Sequence, residues 1–142
     1  MSVNDRVRDA MVAAPRVLGG GSTATEAGEA LARDEVRAVT VCEDDGRLLG
    51  IVTRKTLVRE VVAAGRHPAE VRLRELAETP YLTLDADLPL EEAFAILEER
   101  DLERVPVLEG GRFVGVLSRS GVQRRLAEDE EPPEATSAEQ RA

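Results

Sequence analysis

One thirteen-residue stretch is written twice in this chain: Gly46 to Val58 reads GRLLGIVTRKTLV, and Gly110 to Val122 reads GGRFVGVLSRSGV. A unit repeated at one spacing restricts the chain to folds built from two similar halves. In each copy a Gly-Arg pair sets a turn, an apolar run with a central glycine follows (Gly50, Gly115), and a hydroxyl residue then an arginine ends it (Thr53-Arg54, Ser118-Arg119). That order reads as turn, buried strand, helix start. A hydroxyl at such a junction can cap orphan backbone N–H groups, and the same N–H groups at the positive helix end can hold an anion such as phosphate. The residues alone leave both uses open.

Around that stretch each copy carries the same parts. In the first, VRDAMV predicts a short helix with Val7, Ala10 and Met11 on one face, ended by Pro15, and Arg16-Val17-Leu18 reads as extended. Gly19-Gly20-Gly21 must be a loop, and no lysine follows it at phosphate-loop spacing. Ser22 or Thr23 caps a helix through TATEAGEALARDEV, with Ala27, Ala30 and Leu31 on its small-residue face. Val36 to Cys42 and Leu48 to Val52 are the strands of a hairpin, and Thr56 to Ala64 is a helix with Leu57, Val58, Val61 and Val62 inward. In the second copy a short helix over Val71 to Leu76 precedes Pro80, and Tyr81 to Leu84 is extended. An Asp85 or Asp87 cap opens a helix with Leu90, Ala93, Phe94 and Leu97 inward, the hairpin turns at Glu109-Gly110-Gly111, and a helix covers Gln123 to Glu128.

The expected architecture is α+β: two β-α-β-β-α repeats packed face to face with pseudo-twofold symmetry, because neither copy alone can bury its helices and sheet. Residues 1–65 form the first repeat with its N-terminal helix, 66–127 the second, and 128–142 an acidic disordered tail. From Ala127 onward there are six acids and one arginine, with Pro132-Pro133 and no apolar period. Clefts between the halves are the natural ligand positions.

Composition narrows the chemistry. Aromatic residues are 2% of the chain, so the core is aliphatic and offers no stacking platform for bases, and the formal charge of −9 opposes nucleic-acid binding. No apolar run nears the roughly 20 residues of a membrane span, and the amino terminus lacks a signal pattern, so a cytoplasmic protein is expected. The single cysteine, Cys42, sits in an apolar strand and reads as structural, and the single histidine, His67, lies in a loop between the copies. No catalytic constellation and no metal site is read from these residues.

The pattern resembles tandem cystathionine-β-synthase (CBS) domains, a pair known as a Bateman module, over about residues 7 to 126. Copy two carries it through Pro80, Asp87 to Ala93, Val105-Pro106-Val107, Gly110-Gly111-Arg112 and Gly115 to Ser118. Copy one carries it through Glu26-Ala27, Val39-Thr40-Val41, Asp45-Gly46-Arg47 and Gly50 to Thr53. The resemblance implies a regulatory, non-enzymatic module that senses an adenosine-containing or other anionic ligand, or else a ligand-free interaction module that regulates a partner protein. It also implies homodimerisation through the helices bearing Leu57, Val58, Val61, Val62, Val122 and Leu126.

By the same resemblance, Thr53, Arg54, Lys55 and Thr56 in copy one and Ser118, Arg119 and Ser120 in copy two flank the ligand. Thr40, Tyr81, Val105 and Pro106 line its base side. Where the family places a ribose-binding aspartate this chain has Thr56 and Gly121, and losing a charged hydrogen bond is worth about 1.5–3 kcal/mol. Thr40 stands where the family usually has proline. The expected ligand behaviour is therefore weak binding of an adenine nucleotide, dependent on phosphate charge and favouring the Thr53 to Thr56 side.

Overall fold

The computed structural model describes residues 4–13 and 16–129. Its elements run α1 (Val7–Ala10), β1 (Val17–Gly19), α2 (Ala24–Leu31), β2 (Val39–Cys42), β3 (Leu48–Val52), α3 (Arg54–Leu57) and α4 (Leu73–Leu76), then β4 (Leu84–Asp85), α5 (Leu90–Glu99), β5 (Arg104–Glu109), β6 (Arg112–Ser118) and α6 (Arg119–Asp129). Two three-stranded sheets result, ordered β1-β2-β3 and β4-β5-β6. In each, the first strand is parallel to the second and the second antiparallel to the third. Both hairpins even shift register at matching places, Val41/Cys42 and Val107/Leu108. The duplicated sequence thus becomes a duplicated structure.

Two aliphatic cores form, and the chain exchanges short helices between them. Val71, Leu73 and Leu76, from the start of copy two, are buried with Ala27, Leu31, Val39 and Val52 of copy one. Val7 of α1 is buried with Leu84, Leu90, Leu97 and Leu117 of copy two. Backbone bonds fix both exchanges: Ala24 N–H to Val71 O and Leu73 N–H to Ser22 O on one side, Val7 N–H to Leu88 O and Leu90 N–H to Asp5 O on the other.

The segments that carry these helices then cross the last strand of a sheet. Glu78 and Ile51 exchange both backbone hydrogen bonds (2.9 and 3.0 Å), as do Val12 and Val116 (2.8 and 2.9 Å). The central glycines lie beneath these crossings. A Cβ at Gly50 would sit 2.6 Å from Glu78 O, and one at Gly115 would sit 2.9 Å from Val12 O. The repeated glycine is the space that a crossing backbone needs.

Several local expectations change. Thr23 caps α2 and shares a capping box with Glu26, but the helix stops at Leu31. No aspartate caps α5: Pro89 holds that position, and Asp85 Oδ1 instead accepts the N–H of Asp87 in a turn. After α3 the chain widens into a π-helical turn, Val58–Val62. Of the four residues expected inward there, Val61 is 3% exposed while Val58 and Val62 are 58% and 70% exposed. Val122 is likewise fully buried rather than bare. The last helix begins at Arg119, not Gln123. Pro15 and the tail beyond α6 lie outside the described residues. Among those residues, no helix is long and apolar enough to cross a membrane.

Candidate functional site

Where the two halves meet, strand positions that correspond in the two copies face one cleft. Thr40 pairs with Ile51 in one sheet and Pro106 with Val116 in the other, and all four line a cavity of about 230 Å³. Glu35, Arg37 and Arg104 stand at its rim. A second cleft of about 170 Å³ shares the Ile51, Val105 and Pro106 wall and continues to Tyr81, Leu82 and Leu102. Thr40, Val105 and Pro106 thus line the first cleft, and Tyr81, Val105 and Pro106 the second.

Of the polar groups here, Glu35 is paired with Arg33 at 3.7 Å, and the others are open. Thr40 is 7% exposed, and its hydroxyl makes no hydrogen bond among the described residues. A buried hydroxyl without a partner forfeits about 1–3 kcal/mol, which an incoming acceptor or donor recovers. The guanidinium groups of Arg37 and Arg104, one from each copy, make no hydrogen bond or ion pair among the described residues, although the charge of Arg104 acts on the Glu103 carboxyl. Sequence reading missed both arginines. Arg104 adjoins the Val105-Pro106 pair, and that adjacency was the available signal.

The two helix starts are arranged differently. Thr53 Oγ1 accepts the N–H of Thr56 at 3.3 Å, Thr56 Oγ1 accepts the N–H of Thr53 at 3.2 Å, and Thr56 Oγ1 donates to Glu78 Oε2 at 3.1 Å. Thr56 is 1% exposed, so this is a closed cap. Glu78 also receives Arg59 at 2.6 Å, and the guanidinium of Arg59 is held above its usual range, first by the hydrogen bond to Glu60 and then by the charge of Glu78. Arg54 reaches away and donates to the carbonyls of Arg33 (2.8 Å) and Val36 (2.9 Å), which lie just beyond the end of α2. Lys55 alone of these residues is exposed with no partner among the described residues.

In copy two, Ser118 Oγ accepts the N–H of Gly121 at 3.0 Å, so it caps α6. Glu103 lies over the same helix start and takes both the Ser120 hydroxyl (2.8 Å) and the Ser120 N–H (3.3 Å). The Ser120 hydroxyl is the main reason that the Glu103 carboxyl is held below its usual range. Arg119 is drawn to Asp101 at 3.2 Å and lies 3.8 Å from Glu103. In copy one the position of Glu103 is taken by Arg37. The same place is therefore closed by a carboxylate in one half and rimmed by an open cation in the other.

None of the seven helix-start residues lines either cleft. The hydroxyls of Thr53, Thr56 and Ser118 cap their helices and that of Ser120 donates to Glu103, while counting Arg54 as an available cation is corrected by its two carbonyl partners. Glu78 and Glu103, which decide this, were not singled out from the sequence. Elsewhere the lone residues have local roles: His67 Nδ1 accepts the N–H of Ala69, and burial pushes the Cys42 thiol up. No cluster of three or more metal-ligating side chains exists among the described residues.

Comparison with known proteins follows the same duplication. The family model described as "CBS domain" matches residues 7–63 and 73–128. Hypoxic response protein 1 of Mycobacterium tuberculosis is 32% identical over 121 residues, which are 85% of each chain. A crystal structure of a Hypoxic Response Protein I with two coordinated zinc ions superposes with a TM-score of 0.71 at 31% identity, covering 85% of this chain and 98% of that one. CBSX2 in complex with AMP superposes at 0.69 with 22% identity, covering 89% of this chain and 98% of that one. The inosine-5'-monophosphate dehydrogenase of Mycobacterium leprae is 28% identical over 109 residues, 76% of this chain but 20% of that enzyme.

Proposed function

We propose that this chain, which belongs to the CBS domain family and carries two copies of the domain, is a non-enzymatic regulatory module. Its hollow between the repeats receives an anionic, adenosine-containing molecule, and occupancy is passed to a partner protein. The observation that carries this reading is the buried, unpartnered hydroxyl of Thr40 set between the open guanidinium groups of Arg37 and Arg104. Apolar walls with a few convergent polar groups are the usual form of a small-molecule site. Structures of related pairs carry AMP in one case, and 5'-methylthioadenosine with S-adenosylmethionine in another, which supports the ligand class.

The anion is held by Arg37 and Arg104, while the ribose goes without a carboxylate, since Thr56 and Gly121 supply none. Calorimetry with AMP tests this on the wild type, Arg37→Ala, Arg104→Ala, Thr40→Val and Arg54→Ala. Loss of either rim arginine should weaken binding about tenfold, in line with one charge-assisted hydrogen bond. Arg54→Ala should leave affinity unchanged. Equal losses from Arg54→Ala and Arg104→Ala would return the anion to the helix start.

A second reading has its own support: Glu78 and Glu103 already satisfy both helix starts from within, as they would in an interaction module that needs no ligand. A wild type that binds no AMP, ATP or S-adenosylmethionine favours that reading. In either case the exposed Val58 and Val62 make a homodimer contact on the α3 side, because bare apolar side chains grouped on one face usually mark an interface. Light scattering of Val58→Asp against wild type tests it.

A further inference from the structure

At the hairpin tips the fold builds a second pair of clefts, one of which shares Pro80, Tyr81 and Leu82 with the hollow between the halves. One, of about 480 Å³, lies beside Arg47 and Tyr81, and the other, of about 390 Å³, beside Glu43 and Asp44. They are the same cleft drawn twice: Ala13, Val17 and Cys42 in one stand where Thr79, Thr83 and Leu108 stand in the other. Their charge is opposite. The first contains a guanidinium and no carboxylate, the second two carboxylates and no cation. A duplicated fold needs neither sign at this place, since each copy folds with the other.

One acid of the turn is already paired, since Glu43 receives Arg74 at 3.4 Å. The other charges are open. Arg47 and Arg112 are bridged through their backbones across the junction of the hairpins, where Phe113 N–H donates to Gly46 O at 3.0 Å. Neither guanidinium has a partner among the described residues, and neither has the Asp44 carboxylate. Each cleft further exposes a large apolar side chain, Tyr81 at 95% on the basic side and Val17 at 48% on the acidic side. Tyrosine and arginine together are what interface centres favour.

We propose that the basic cleft is a docking surface for a second copy of this chain, and that its occupant is the acidic hairpin turn Glu43–Asp45. Both halves of the contact are present on one molecule, with opposite sign and an exposed apolar residue on each. The contact is heterologous, basic cleft to acidic turn, and is separate from the Val58 and Val62 face. It shares Tyr81 with the central hollow, so its test is run with no nucleotide present.

Charge reversal distinguishes matched docking of the two clefts from a general effect of net charge. The series is run in a Val58→Ser, Val62→Ser background so that the α3 face does not contribute. Arg47→Glu makes both clefts acidic, and Asp44→Arg sets a cation beside Glu43 and leaves neither cleft with an excess of acid, so each variant alone should self-associate about tenfold more weakly than the parent. Mixed together, the two variants offer complementary clefts and should associate with each other at parental strength. Fluorescence-detected sedimentation of one labelled variant with the other unlabelled reads this directly. Arg100→Glu, an exposed change of equal charge outside both clefts, should have no effect.

A parent that does not self-associate, an Arg47→Glu variant that associates as well as the parent, or a mixture no stronger than its components would each overturn the proposal. An Arg100→Glu loss equal to that of Arg47→Glu would reduce the effect to net charge and overturn it too. So would a monomeric parent that binds inorganic phosphate through Arg47, which would give the cleft to a small anion.

Discussion

Replacing Gly50 by alanine adds one methyl group where there is no room for it. The new Cβ would meet Glu78 O at 2.6 Å, Glu78 C at 2.8 Å and Ala77 C at 3.0 Å, all of them backbone atoms of the crossing segment. Backbone cannot swing aside as a side-chain tip can, so the segment must lift from β3. Overpacking of this kind costs about 1–3 kcal/mol. Lifting also weakens the two Glu78–Ile51 hydrogen bonds, each worth about 1 kcal/mol net. The expected loss is about 2–4 kcal/mol. At Gly115 the neighbours are Val12 O at 2.9 Å and the flexible Met11 side chain at 3.1 Å, so Gly115→Ala should cost about 1 kcal/mol less. Gly21 has nothing within 4 Å and no positive φ, and its alanine variant should be neutral or up to about 1 kcal/mol more stable. Urea unfolding followed by circular dichroism gives the three differences. A Gly50→Ala protein as stable as wild type would refute the crossing as the reason for the repeated glycine.

Three further outcomes are expected. Thr56→Val removes a buried cap hydroxyl shared by Thr53 and Glu78 and should cost about 1–2 kcal/mol by urea unfolding, whereas Lys55→Ala should change stability by less than about 0.5 kcal/mol. Val61→Ala should lose about 2 kcal/mol through two buried methyl groups and the cavity they leave, whereas Val58→Ala at 58% exposure should lose less than about 0.5 kcal/mol in the monomer. Glu75 and Glu103 both have folded carboxyls held below the usual range, by Arg66 and by Ser120 respectively. Their contribution is full above the unfolded value of about 4.3 and is lost as pH falls through the lower folded values, so Glu103→Gln should flatten the fall in unfolding midpoint below about pH 4.3.

What the sequence disclosed was whatever repeats or alternates locally. The two hairpins, the Thr23 cap and the short helices at Val7 and Leu73 follow from Gly-Arg turns, capping residues and apolar spacing, and they stand where expected. The exchange of α1 and α4 between cores was hidden, because periodicity says that Val7 and Leu73 are buried but not which sheet buries them. The Val58 and Val62 error has a different cause. On α-helical spacing Leu57, Val58, Val61 and Val62 share one face, but from Val58 the chain winds as a π-helical turn and the core covers only the sector of Leu57 and Val61. For the candidate site, Thr40, Tyr81, Val105 and Pro106 came from the family resemblance, and the structure sets them along two clefts with a common wall. Glu78 and Glu103 were not legible, because nothing in the local spacing of 28 acidic residues marks the two that fold back onto helix starts.

The exchanged helices also set an order on the chain's birth. Synthesis delivers Val39 and Val52 well before Leu73 and Leu76, so the first sheet emerges with one side of its core uncovered and stays so until the next repeat has begun. Val7, delivered before either sheet, has no home until Leu117 arrives. Neither half can be finished on the ribosome as a separate unit, although multi-unit chains commonly fold from the amino end unit by unit. A nascent chain halted near Gly65 should therefore remain protease-sensitive, and protection should appear only once α4 has cleared the exit tunnel.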